Sequence, residues 1–162
     1  MTTLALNGYQ PFARTVNTGS SPESRRVQEQ TEAFVKHFRH RADRERVFEE
    51  LDRVTSEASA TGWDGYRGNP SNLSSYQLAR RFLASLPTTL PVPEVAIDPD
   101  GDIGFDWYLD SKHLYTVSIG ANGRLAYAGV FGSGARTHGT EVFDDNVPEV
   151  VIQNISRVFR RR

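Results

Sequence analysis

The sequence predicts an α+β domain: an antiparallel meander sheet of four to five strands with one face covered by N-terminal helices and a C-terminal helix. Three observations carry this reading. Apolar and polar residues alternate between about Glu94 and Phe143, short segments rich in Gly, Asn and Asp interrupt that alternation, and apolar residues recur every three or four positions before and after it.

From Asp102 to Leu109 the residues Ile103, Phe105, Trp107 and Leu109 take every second position, the pattern of a strand with one buried face. The period returns in Tyr115, Val117 and Ile119, then in Leu125, Tyr127 and Phe131, and a last strand is expected from Thr137 to Phe143. Asp98-Pro99-Asp100-Gly101 and Ala121-Asn122-Gly123 supply residues that accept positive φ in tight turns, so chain neighbours are expected to pair antiparallel over residues 94–143. In the simplest registers Asp106 faces Ser118 and Tyr108 faces Thr116, with Ala126 and Ala128 on the next strand. The face turned away from the core is then small and polar.

Three helical segments cover the other face. The first, 20–61, opens at Ser20-Ser21-Pro22-Glu23 and carries Val27, Phe34, Val35, Phe38, Ala42, Val47, Phe48, Leu51, Val54 and Ala58 at helical steps. Its pattern admits one break near His40 to Asp43. The second, 72–87, places Tyr76, Ala79, Phe82, Leu83 and Leu86 on one face and ends at Pro87. The third, 146–160, opens at Asn146 with Pro148 in its first turn and aligns Val151, Ile155, Val158 and Phe159. Residues 1–19 show neither period and are expected to be an extended arm or mobile tail. Residues 20–162 are then a single domain, long enough for a real core.

Composition narrows the chemistry. The chain has no cysteine, which excludes disulfides, thiolate catalysis and cysteine-ligated metal. No run approaches the roughly 18 apolar residues of a membrane span, and the N-terminus lacks the order of a signal peptide. A cytoplasmic location without membrane partners is expected, and no cofactor.

Charge is uneven although it sums to −1: residues 94–145 hold nine acidic and three basic side chains, and residues 146–162 hold one acidic and four basic. An acidic sheet repels nucleic acid and steers toward a basic protein surface. Arg157, Arg160, Arg161 and Arg162 suit the negative end of a helix dipole; the functional alternative is a small basic contact site.

Several constellations mimic catalytic or metal sites. Ser118, Asp106 and His138 share the open face, but the ladder sets His138 two strands from Ser118, too far for a triad. Asp98-x-Asp100-x-Asp102 lacks the sixth-position glycine and twelfth-position glutamate of a calcium loop. His37 and His40 lie three apart on a helix without a carboxylate to complete a metal site. Gly132-Ser133-Gly134 precedes a strand and reads as a hairpin tip.

The segment Gly62-Trp63-Asp64-Gly65-Tyr66 places two aromatics between sharp turns. Trp63 and Tyr66 either plug the seam between helices and sheet or anchor a partner. With Pro70, Phe82-Leu83-x-x-Leu86-Pro87, Pro93-Glu94, Asp98-Pro99-Asp100-Gly101, Phe105-x-Trp107, Tyr127-Ala128, His138-Gly139 and the Pro148 helix, this segment resembles a family of small bacterial and phage-borne proteins across roughly residues 60–160. That resemblance implies no activity and no catalytic residues.

The expected function is a small non-enzymatic protein that neutralises another protein, of antitoxin, immunity or phage anti-defence type. Its target would be a basic, nucleic-acid-handling protein, contacted through Trp63, Tyr66, Asp98, Asp100, Asp102, Asp106 and Tyr108. Two alternatives stand beside it: an enzyme with a sheet-face pocket around His138, Asp106 and Tyr108, and a homodimeric scaffold paired through the same face.

Overall fold

The computed structural model describes residues 22–160; the arm expected at 1–19 lies outside them, as do the side chains of Val27, Phe34, His37, Phe38 and His40. The chain divides into two compact units after His37. Of the first unit, the opening part of helix α1 (Pro22–Glu57) is described. Its residues 28–33 and Val35 are exposed, and Gln28 Nε2 donates to Glu32 Oε1.

In the second unit α1 runs through His40 to Asp43 without the break that the pattern admits. No Pro or Gly interrupts it there, and the surface pairs Arg41–Glu45 and Arg46–Asp43 span the segment. Among the described residues of its apolar series in this unit, Ala42 is exposed, whereas Val47, Leu51 and, just past the helix end, Ala58 are buried. Helix α2 (Leu73–Ser85) opens at Asn72, whose side chain accepts from Ser74 N. Its far end has no basic residue of its own. Arg44 of α1 reaches across instead, donating to the carbonyls of Leu83, Ala84 and Leu86.

Strands β1 (Glu94–Ile97), β2 (Ile103–Asp110), β3 (His113–Ile119), β4 (Arg124–Phe131) and β5 (Ala135–Val142) form one antiparallel sheet in the order β1-β2-β3-β4-β5. Helices α2 and α3 (Glu149–Val158) pack on one face of it. Helix α3 starts three residues past Asn146, because Pro148 keeps an extended conformation at its N-cap. Phe82 of α2 stacks on Phe105 with ring centroids 5.1 Å apart and meets Phe143 edge-on at 5.7 Å. Tyr115, Val117 and Ile119 of the central strand are fully buried, and each such side chain stabilises the fold by roughly 1.5–3 kcal/mol relative to exposure.

The β2–β3 register differs by two residues from the expected one. Asp106 pairs with Thr116, Tyr108 with Leu114, and Ser118 with Gly104. The turn is the cause: Asp110 pairs with His113, and its Oδ1 accepts from Lys112 N and lies 2.9 Å from His113 Nδ1. This closes the hairpin over Ser111 and Lys112 and leaves Leu109 at a bulge. Leu109, expected in the buried row, is therefore 50% exposed. No helix among the described residues is long and apolar enough to cross a membrane.

Candidate interaction surface

The Gly62–Tyr66 segment folds around its aspartate. Asp64 Oδ1 accepts from Tyr66 N at 2.9 Å and Gly68 N at 3.0 Å, and these backbone donors hold its carboxyl below the usual carboxylate range. The two aromatics part company. Trp63 packs partly buried against the core and donates Nε1 to Asn69 O at 2.9 Å, whereas Tyr66 is 87% exposed.

Beyond Tyr66 the chain ties the end of α1 to the β1–β2 turn. Ser71 N and Oγ donate to Ala58 O and Thr55 O, and Asn69 N and Asn72 N donate to Pro99 O and Gly101 O. Gly101, at φ +89°, lies so close that a Cβ there would sit 2.6 Å from Pro70 O. The loop thus clamps the turn that holds Asp98, Asp100 and Asp102.

Those carboxylates crowd one another. Asp98 Oδ2 accepts from Ser118 Oγ at 2.5 Å, and Asp106 Oδ1 accepts from Thr116 Oγ1 at 2.6 Å. Burial pushes the Asp98 carboxyl up, the charges of Asp100 and Asp106 add to the push, and the Ser118 hydrogen bond opposes it. Asp102 is pushed up by burial and then by Asp100 and Asp98. Glu94 pairs directly across from Asp106. Among the described residues no cation lies within 4.0 Å of any of these five carboxylates.

All five strands contribute to the face opposite the helices. Register aligns Glu94, Asp106, Thr116, Ala128 and His138 in one row, with Ala96, Gly104, Ser118, Ala126 and Thr140 beside it. Tyr108 stands on the other side of the row, 57% exposed. Acids therefore gather on β1 and β2, while Arg124, Arg136 and His138 occupy β4 and β5.

The structure brings Asp98, Asp100, Asp102 and Asp106 together and sets Tyr108 next along the strand from Asp106. Tyr66 and Trp63 lie in the loop that holds the turn. His138 is not brought to Asp106: three strand spacings, roughly 14 Å, separate them. His138 is exposed, and Ser118 is bound to Asp98, so no triad forms. Three clefts around the helices and hairpin tips are lined by none of Asp106, Tyr108 and His138. No cluster of three or more His, Asp or Glu suited to a metal occurs among the described residues.

Sequence reasoning missed Glu94, whose place at the first polar position of the alternation could have marked it as an outward neighbour of Asp106. The chain matches no protein-family model, no curated protein and no solved structure.

Proposed function

We propose that the protein is a non-enzymatic binding protein that neutralises another protein by receiving a basic surface on the open, acid-bearing half of its sheet. One observation supports this most: five carboxylates, two of them partly buried and raised in pKa, gather on β1, β2 and their turn, on a face that no described helix covers and without a cationic partner among the described residues. Crowding of this kind costs the free protein stability, and a docked Lys- or Arg-rich surface relieves it. Tyr66 and Tyr108 are the exposed aromatic neighbours, and such residues are frequent binding anchors. A basic, nucleic-acid-handling target fits this chemistry, as do the antitoxin, immunity and anti-defence roles in which small proteins block such targets.

The test begins with capture of a partner from the host by tagged protein, followed by association rates with the purified partner. Asp106→Arg and Tyr66→Ala, each verified as folded, are compared with wild type at low and raised salt. Asp106→Arg is expected to slow association about tenfold at low salt and to flatten the salt dependence. Unchanged rates in the folded variant would remove the acidic face from the binding role.

A second reading is favoured by the division of the face into an acidic half on β1–β2 and a basic half on β4–β5. A second copy, turned by a two-fold axis, would set each acidic half on the other's basic half. Sedimentation across a concentration range separates this from a foreign target.

A further inference from the structure

The cleft at the opposite end of the sheet has the contrary electrostatics. The strands alternate in direction, so the Asp98–Asp102 turn lies at one end and the β2–β3 and β4–β5 hairpin tips lie at the other, roughly 26 Å away for an eight-residue strand. There the second half of α3 and the two tips line an open cleft of about 1080 Å³, at the upper end of small-molecule sites.

Its walls combine cations with apolar surface. Arg157 lies over the Phe131 ring, 4.3 Å from guanidinium carbon to centroid, a contact that fixes the guanidinium while keeping its charge. Arg160 follows just past the end of the helix, and His113 is tethered by Asp110 at 2.9 Å. Leu109, exposed by the bulge, adds apolar wall.

Two observations set this cleft apart from the one that Arg80 and Arg81 of α2 line. There Arg80 is paired with Asp52 and Arg81 with Asp145, whereas Arg157 and Arg160 have no carboxylate within 4.0 Å among the described residues. In addition, Asn154 is 8% exposed in the cleft wall, and its amide nitrogen, though near enough to the buried Tyr115 hydroxyl to oppose the rise of that group's pKa, makes no well-formed hydrogen bond. A buried donor left unpaired is costly unless something comes to it.

We infer that this cleft binds a small molecule that joins an oxyanion, phosphate or carboxylate, to a flat apolar group. Arg157 and Arg160 hold the oxyanion, Asn154 supplies a neutral donor, and Leu109 with Ala135 receives the apolar part beside the Arg157–Phe131 stack. The site does not depend on the acidic face and stands whether or not that face binds a protein.

The experiment is a calorimetric titration of the full chain with phenyl phosphate and with benzoate, using phenol as the neutral control. The variants are Arg160→Gln, in an exposed position outside the core, and Arg157→Gln, both checked for folding by circular dichroism. Saturable binding of an anionic probe at concentrations up to on the order of 10 mM, weakened by salt, is expected. Loss of one charged hydrogen-bond donor should weaken it roughly tenfold in each variant. Whichever of phenyl phosphate and benzoate binds more tightly identifies the oxyanion. No binding of either to the folded wild type, equal binding of phenol, or undiminished binding in both folded variants would overturn the assignment.

Discussion

Gly101 is the point at which loop and acidic turn press closest, and its replacement by alanine tests whether that clamp matters. At φ +89° an L-residue is strained by about 1–2 kcal/mol. The new Cβ would also sit 2.6 Å from Pro70 O, a contact to backbone that no side-chain rotation relieves. Separating the two segments weakens the Asn69 N–Pro99 O and Asn72 N–Gly101 O bonds, at roughly 1 kcal/mol each. The expected loss for Gly101→Ala is therefore about 3–4 kcal/mol, read as the shift in urea midpoint at constant slope. Gly65→Ala is the control, with a similar φ of +80° but nothing within 4 Å of its Cβ position. It should lose only the strain, about 1–2 kcal/mol. Equal losses in the two variants would refute the clamp and leave backbone conformation as the whole effect.

Other consequences can be checked separately. Trp63→Phe keeps most of the packing but loses the bond to Asn69 O and should cost about 1 kcal/mol, while Trp63→Ala should cost about 2–3 kcal/mol in the same unfolding assay. Arg44→Met removes the donors that close α2 and is expected to lower stability by about 1–2 kcal/mol; Arg44→Lys should restore only part, because an ammonium lacks the guanidinium fork. Asp98→Asn tests the raised carboxyl. A raised folded pKa means that the native state binds more protons, so this group stabilises the fold less as pH rises from the unfolded value, about 3.9, through the folded one. The variant keeps an acceptor for Ser118 and sheds the charge. Its melting temperature should exceed wild type at neutral pH, and the gap should close below about pH 4; a constant gap across pH would remove charge as the cause.

The sheet could be read from the sequence because strand alternation is a local property. Tyr115, Val117 and Ile119, and likewise Phe105 and Trp107, are buried as their spacing predicts. The two-residue error in register arose where one side chain decides the turn: Asp110 binds Lys112 N and His113, and the bulge it creates turned Leu109 outward. The first helix showed its apolar period but not which of its positions are covered: among the described ones Ala42 is exposed and burial begins at Val47. At the candidate face, the acids of the Asp98–Asp102 turn were legible as a cluster. Their crowding with Glu94 and Asp106 depends on register and was not. The pairing of Arg157 with Phe131 joins residues far apart in the chain, which no local pattern records.

The unbroken strand order has a kinetic consequence. Every sheet pairing joins a strand to the next one along the chain, so each hairpin closes a short loop at small entropic cost. The far-reaching closures are those that seat α2 on Phe105 and α3 on the central strands. The meander can therefore zip up as a series of local steps, with helix docking as the slower event that buries Phe82 and Ile155. Substitutions at the hairpin turns should consequently change the folding rate. Those at the helix–sheet contacts should instead show up mainly as faster unfolding.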